Sequence, residues 1–397
     1  MAPSTDCRHR PAGARVLVVL GTRPEAVKLA PVIRALRALP QLTTTVCVSA
    51  QHRQMLDQVL ATFDIVPQYD LDVMQPRQSL ELLTARVLEG VSQVIEAEKP
   101  DVVLVQGDTT TAFAGSLAAF YRRVPVGHVE AGLRTGDPLN PFPEEMNRRL
   151  TGAIAAMHFA PTEAARQNLL REGVAPDGIT VTGNTVIDAL LDVVSRPWAP
   201  VDAPLQGLSG RLILVTTHRR ESLGTPLHRI CDAVSRLADA HPEDTFLLPV
   251  HLNPRVRETV FGLLSGRDNI RLVEPLDYVA FAHTMRRSHL ILTDSGGIQE
   301  EAPSLNVPVL VLRDTTERPE AVQAGAALLV GTDAERIVRE AERLLTDAES
   351  YRRMASAPNP FGDGHAGERI AQAIASRFGL STTPLAAPFE RRLNPVR

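Results

Sequence analysis

Lysine is almost missing from this chain: of 42 basic residues, only Lys28 and Lys99 are not arginine. The bias is that of a GC-rich coding sequence. A lysine kept at position 28 therefore hints at a site that wants a compact ammonium, which arginine's planar fork does not replace everywhere. Cysteine is also scarce. Cys7, Cys47 and Cys231 are far apart and leave one thiol over in any pairing scheme, which points to a reducing, cytoplasmic setting. No apolar run approaches the length needed to span a bilayer, so no membrane association is expected. There is no basic excess either: the net charge of -4 offers no footprint for nucleic acid, and an anionic ligand must be met locally. Missing as well are CxxC and other Cys/His metal spacings and the HExxH and GxSxG motifs, and the glycine opening GTRPEAVK is neither GxGxxG nor a P-loop. These absences argue against zinc, a protein nucleophile of the serine-hydrolase type, a dinucleotide or NTP. Neither a cofactor nor a metal is expected.

What is present is alternation. From Arg15 onward, short β-branched runs alternate with helical-period segments, the pattern of parallel sheets with crossover helices, so the fold class is α/β. The predicted strands of the first half are 15–20, 44–48, 102–105 and 126–130, followed by MHFA and ITVTG; a helix is predicted from Glu25 to Leu39. Residues 195–210, rich in proline and glycine, read as a linker. The alternation restarts at 211–217, 245–250, 270–274, 289–294 and 307–312, with helices at about 334–357. A chain of 397 residues exceeds what one core usually organises. The expected layout is a disordered leader at 1–14, an α/β domain at 15–194, the linker, a second α/β domain at 211–364, a helix at 365–380 and a flexible tail at 381–397. Two such doubly wound, Rossmann-like domains facing each other imply a central ligand cleft at the carboxyl ends of their strands.

Several constellations sit at those strand ends. In HLILTDSGGIQEEAP a buried strand runs into Ser295, Gly296 and Gly297, which open a helix. Paired glycines let backbone N–H groups approach a phosphate at a helix N-terminus, although the same residues serve equally as a plain strand-to-helix turn. Glu301, one turn on, suits ribose hydroxyls or simply the helix dipole. GTRPEAVK places Arg23 and Lys28 near another strand end, as holders of a diphosphate or as surface cations. Three acids, Asp108, Glu130 and Glu144, also lie at strand or loop ends, where converging carboxylates would move protons on and off carbon. Asp108 could instead cap the helix beginning TTTAFAG, and Glu144 could complement a helix dipole after Pro143. Glu130 ends an apolar strand, where a lone charge needs a partner. His218 with Arg219 and Arg220, and His251, stand at parallel strand ends of the second half.

Taken in order, GTRPEAVKLAPV, QGDTTTAFAGSLAAF, GHVEAGLRTGD, FPEEMNRRLT, HFAPTEAARQNLL, VTGNTVID, THRRES, DSGGIQEEAP and RDTTERPEAV resemble the bacterial non-hydrolysing UDP-N-acetylglucosamine 2-epimerases, from about Val16 to Ile374. The resemblance implies a glycosyltransferase-B-like fold, a homodimer, and interconversion of UDP-GlcNAc and UDP-ManNAc by anti-elimination of UDP to 2-acetamidoglucal and its re-addition. It implies a substrate site of Arg23, Lys28, Asp108, Glu130, His218, Phe281, Ser295, Gly296, Gly297, Glu301 and Arg318. In that site Phe281 packs on uracil with Leu276 beside it, and Arg318 contacts the diphosphate region. Asp108, Glu130 and Glu144 match the catalytic acids, and His218 a residue that steadies the leaving phosphate. Gln51, His52, Gln54, Arg77, Arg219 and His251 match a second site where UDP-GlcNAc activates; from the residues alone, Gln51 and Gln54 read as a solvated helix face. Departures from the pattern are Ser222, Phe361, His365 and Gly367. Competing readings are a hydrolysing epimerase, a UDP-GlcNAc-dependent glycosyltransferase and a silent sugar-nucleotide sensor.

Overall fold

The computed structural model describes residues 13–50, 53–75, 78–200, 205–380 and 389, with the backbone alone at 53–55 and 220. The chain divides into two compact units, one up to Ala189 together with the segment from Gly364 to Phe389, the other running from Leu190 to Asp363. Each unit is a doubly wound α/β layer structure.

The first unit carries a parallel sheet of β1 (Ala14–Leu20), β2 (Leu42–Val48), β3 (Tyr69–Asp70), β4 (Val102–Gln106), β5 (Val126–Val129), β6 (Met157–Ala160) and β7 (Ile179–Val181), ordered β3-β2-β1-β4-β5-β6-β7. β1 and β4 are buried almost throughout, as expected of strands covered by helices on both faces. On one face Leu17, Val19, Val103 and Val105 pack with Val87, Val91 and Val94 of the helix Leu80–Glu98. The helix Ala366–Arg377 also belongs here, packed on the helix Arg23–Arg37. At that contact the N–H of Gly367 donates to Asp188 Oδ1 at 2.7 Å, and a Cβ at 367 would stand 2.8 Å from the Pro31 carbonyl oxygen. Gly367 is therefore tied to close backbone approach.

The second unit holds β8 (Leu212–Thr216), β9 (Thr245–Pro249), β10 (Ile270–Val273), β11 (Leu290–Thr293), β12 (Val309–Val311) and β13 (Ala327–Leu329), again parallel, in the order β10-β9-β8-β11-β12-β13. Ile213, Phe246, Leu290 and Leu310 of this sheet share a core with Ile230, Val234 and Leu237 of the helix Thr225–Ala240. Ile337, Ala341 and Leu344 of the helix Ala334–Thr346 join it at helical spacing. No helix among the described residues is long and apolar enough to cross a membrane. Cys47 and Cys231 are free and buried, and burial pushes both thiols up to about 12; Cys7 lies outside the described residues.

Two details differ from the strand pattern read in the sequence. β3 and β13 have only two and three residues, too short to show a period. Glu130 is not the last residue of its strand but the first beyond β5, in the left-handed region at φ 61°.

Candidate active site

In the first sheet β1 and β4 are neighbours from which the strand order runs outward in opposite directions. Open α/β sheets bind ligands outside the carboxyl ends of the strands at such a reversal. Here β1 leads through Gly21 and Thr22 into the helix that opens with Arg23, and β4 leads into Gly107 and Asp108. Glu130, only 8 % exposed, reaches this point from β5. Its carboxylate accepts from Lys28 Nζ at 2.6 and 2.7 Å, from Asn184 Nδ2 at 3.0 Å and from Gln106 Nε2. The partner that a buried charge demands is thus Lys28, one of the two lysines in the chain. These donors also account for the left-handed backbone, which a non-glycine residue keeps only where its surroundings over-determine it.

Asp108 pairs with Arg148, and its backbone carbonyl accepts from Asn147 Nδ2 at 3.0 Å. The helix cap is Thr109, whose hydroxyl accepts from the Ala112 N–H at 3.0 Å, so the Asp108 carboxylate is not spent on capping. The helix Glu144–Ile154 begins with two acids in different settings. Glu145 is fully buried and accepts from the Thr135 N–H at 3.1 Å and from Arg149 Nε at 2.9 Å. Burial would raise this carboxyl, but those donors and the charges of Arg148 and Arg149 hold it below its ordinary value. Glu144 is half-buried, and its enclosed Oε2 has no hydrogen-bond partner among the described residues.

The sequence reading passed over two residues here. Arg148, signalled only by its place in FPEEMNRR, neutralises Asp108. Glu25, 1 % exposed, joins the two loops: Oε2 accepts from the N–H groups of Gly21 at 3.0 Å and Thr22 at 2.7 Å, and Oε1 from the Thr109 hydroxyl at 2.7 Å. Burial outweighs these bonds and raises its carboxyl to about 7.

The second sheet reverses between β8 and β11, and the loops after those strands carry His218 and Asp294 to Gly297. Asp294 is fully buried and accepts from the backbone N–H of His218 at 3.0 Å, that of Arg219 at 3.0 Å, the Ser222 hydroxyl at 2.9 Å and His218 Nδ1 at 2.9 Å. Burial alone would raise its carboxyl, but these donors hold it below the usual range. Ser295 is the N-cap of the helix Gly296–Glu301 and makes no side-chain capping bond. A Cβ at Gly297 would lie 3.8 Å from Glu301 Oε2, so that carboxylate, 9 % exposed, borders the glycine turn. Arg318 pairs with Glu300.

The rings of His218 and His251 are 6.2 Å apart, brought together by the adjacent strands β8 and β9. A Cβ at Gly296 would stand 3.6 Å from Arg219 Nη2. Leu276 and Phe281 are half-buried beyond the end of β10, which is separated from β11 by β9 and β8. Gln51, His52, Arg77 and the side chain of Gln54 lie outside the described residues. Among the described residues one group has metal-ligand spacing, His241, Glu243 and Asp244. It already holds a cation: Arg211 donates to Asp244 through Nη2 at 2.6 Å and Nε at 2.9 Å.

Comparison with known proteins places the chain in a family. The family model described as UDP-N-acetylglucosamine 2-epimerase matches residues 34–375. The UDP-N-acetylglucosamine 2-epimerase of Escherichia coli (strain K12) is 56% identical over 368 residues, 91% of this chain and 98% of that protein. The crystal structure of UDP-GlcNAc 2-epimerase from Neisseria meningitidis bound to UDP-GlcNAc is similar at TM-score 0.82 and 48% identity, covering 91% of this chain and 100% of that one. The Methanocaldococcus jannaschii enzyme in complex with UDP-GlcNAc and UDP is similar at TM-score 0.74 and 35% identity, covering 91% and 99%. Matches of this length and identity leave no room for a shared fold alone, and the chain belongs to the UDP-N-acetylglucosamine 2-epimerase family.

Proposed function

We propose that this enzyme interconverts UDP-GlcNAc and UDP-ManNAc without hydrolysis, in the cytoplasm and as a homodimer. One observation carries the reading. The point of strand reversal in the first sheet gathers carboxylates suited to proton transfer, and that in the second gathers a glycine turn and a histidine suited to a diphosphate.

In the forward direction a base removes the C2 proton while the anomeric C–O bond breaks, its electron pair leaving with UDP and the C1–C2 double bond of 2-acetamidoglucal forming. A proton then returns to C2 on the opposite face, and a UDP oxygen adds to C1. The C2 proton is only weakly acidic, so bond breaking at C1 must run ahead and build positive charge on the ring. Nearby carboxylates stabilise that charge, and fixed cations and N–H donors stabilise the departing diphosphate. Asp108, Glu130 and Glu144 take the acid and base roles as a set. Arg23, Lys28, His218, Arg318 and the Ser295–Gly297 turn serve the diphosphate. Glu301 takes ribose, and Phe281 with Leu276 takes uracil. Gln51, His52, Gln54, Arg77, Arg219 and His251 form the site at which a second UDP-GlcNAc activates. The closeness of the His218 and His251 rings favours coupling between the two.

Incubation with UDP-GlcNAc in D2O, followed by proton NMR, tests the reading. The expected product is UDP-ManNAc carrying deuterium at C2, without stoichiometric free UDP. Release of ManNAc with UDP would replace the proposal with a hydrolysing epimerase. Turnover only with an added acceptor would indicate a glycosyltransferase, and binding without exchange a sensor.

A further inference from the structure

The mechanism above uses His218 but not the carboxylate beneath it. Asp294 follows β11, yet among the described residues the donors to its side chain belong to the turn after β8: two backbone N–H groups, the Ser222 hydroxyl and the imidazole. Three of these would be satisfied by a purely structural clamp. The fourth is different in kind. A carboxylate accepting from Nδ1 selects the tautomer with its proton on that nitrogen and leaves the other ring nitrogen for chemistry. The His218 ring is 42% exposed although its partner is fully buried, so one nitrogen is anchored while the rest of the ring meets solvent or ligand. The carboxylate also sets negative charge behind the ring at the moment Nε2 donates to a departing phosphate oxygen.

We propose that Asp294 is the positioning residue of the second unit, accepting the hydrogen bond of the His218 Nδ1–H so that Nε2 is presented to the leaving diphosphate, with Ser222 holding the Asp294 carboxylate in that orientation. The proposal rests on the epimerase reading for what His218 does, but not for how it is oriented. The Ser222 hydroxyl donates to Asp294 Oδ2 at 2.9 Å.

The test combines kinetics with direct observation of the ring. In 15N-histidine-labelled enzyme at alkaline pH, His218 should be protonated on Nδ1 and bare on Nε2. Asp294→Asn turns an amide donor towards the ring and should move the proton to Nε2, lowering kcat for C2 exchange by about 10³- to 10⁴-fold, the scale seen when an orienting carboxylate is amidated. KM should stay within about threefold, because Asp294 does not touch substrate. Ser222→Ala should lower kcat several-fold with the tautomer retained. Protonation on Nε2 in the unmodified enzyme, an unchanged tautomer in Asp294→Asn, or a loss confined to KM would each overturn the proposal. Should Asp294→Asn fail to fold, the tautomer of the unmodified enzyme and the Ser222→Ala kinetics still decide it. No C2 exchange by the unmodified enzyme would defeat the epimerase reading while an Nδ1–H tautomer continued to support the orienting role.

Discussion

Replacing Lys28 by methionine removes the cation from a carboxylate that has almost no access to water. The Glu130 side chain is 6% exposed and Lys28 21% exposed, with 2.6 Å between Nζ and Oε1. Breaking one side of a buried pair typically costs about 3 to 5 kcal/mol, because the remaining charge is left uncompensated. Glu130 keeps its bonds from Gln106 and Asn184, which places the expected loss near the lower figure. Unfolding of two units need not be two-state, so a global melt is a poor assay. Amide exchange of β4 and β5 reports the first unit directly. At about 1.4 kcal/mol per tenfold change, a loss of about 3 kcal/mol lowers protection there roughly 10²-fold. Adding Glu130→Gln removes the stranded charge and should restore at least tenfold of that protection, although neither variant would catalyse C2 exchange. If Lys28→Met costs less than about 1 kcal/mol, or if the two substitutions simply add, the pair is not the electrostatic unit inferred here.

Glu130→Gln alone should bind UDP-GlcNAc with little change by calorimetry yet lose deuterium exchange at C2; unchanged exchange would remove it from the catalytic set. The pH dependence of stability should contain two opposed parts. Burial depresses His128 to about 3 and His158 to about 4, so stability present above their ordinary 6.5 is lost as pH falls from there towards those values. Glu25 is raised from 4.5 to about 7, so its contribution is present below 4.5 and is lost as pH rises through 7. Glu25→Gln should therefore gain on the unmodified protein by up to about 3 kcal/mol between pH 4.5 and 8, at about 1.36 kcal/mol per pKa unit; amide-exchange protection of β1 and β4 that runs parallel in the two proteins across that range would contradict it. Gly367→Ala, whose Cβ meets the Pro31 carbonyl oxygen, should cost roughly 1 to 3 kcal/mol and be seen as faster amide exchange in the helix Ala366–Arg377.

Alternating β-branched runs, the glycine turn after β11 and acids at strand ends were legible in the sequence because each depends on local spacing. The family could be read there too, since an ordered set of segments is carried by the chain itself. Asp108 illustrates the limit: its segment suited a cap as well as a catalytic acid, and only the folded loop assigned the cap to Thr109 and gave Asp108 to Arg148. Glu144 and Glu145 are adjacent and chemically alike in sequence, but helix rotation buries one among arginines and leaves the other with an unpartnered oxygen. Lys28 and Glu130 are 102 positions apart, and Ser222 and Asp294 are 72 apart. Contacts of that range are set by parallel strands closing into a sheet, so no window of sequence contains them. Sequence by itself determined which groups are available and at which strand ends; tertiary structure decided which of them are paired, buried or left open, because desolvation and hydrogen bonding act on neighbours in space.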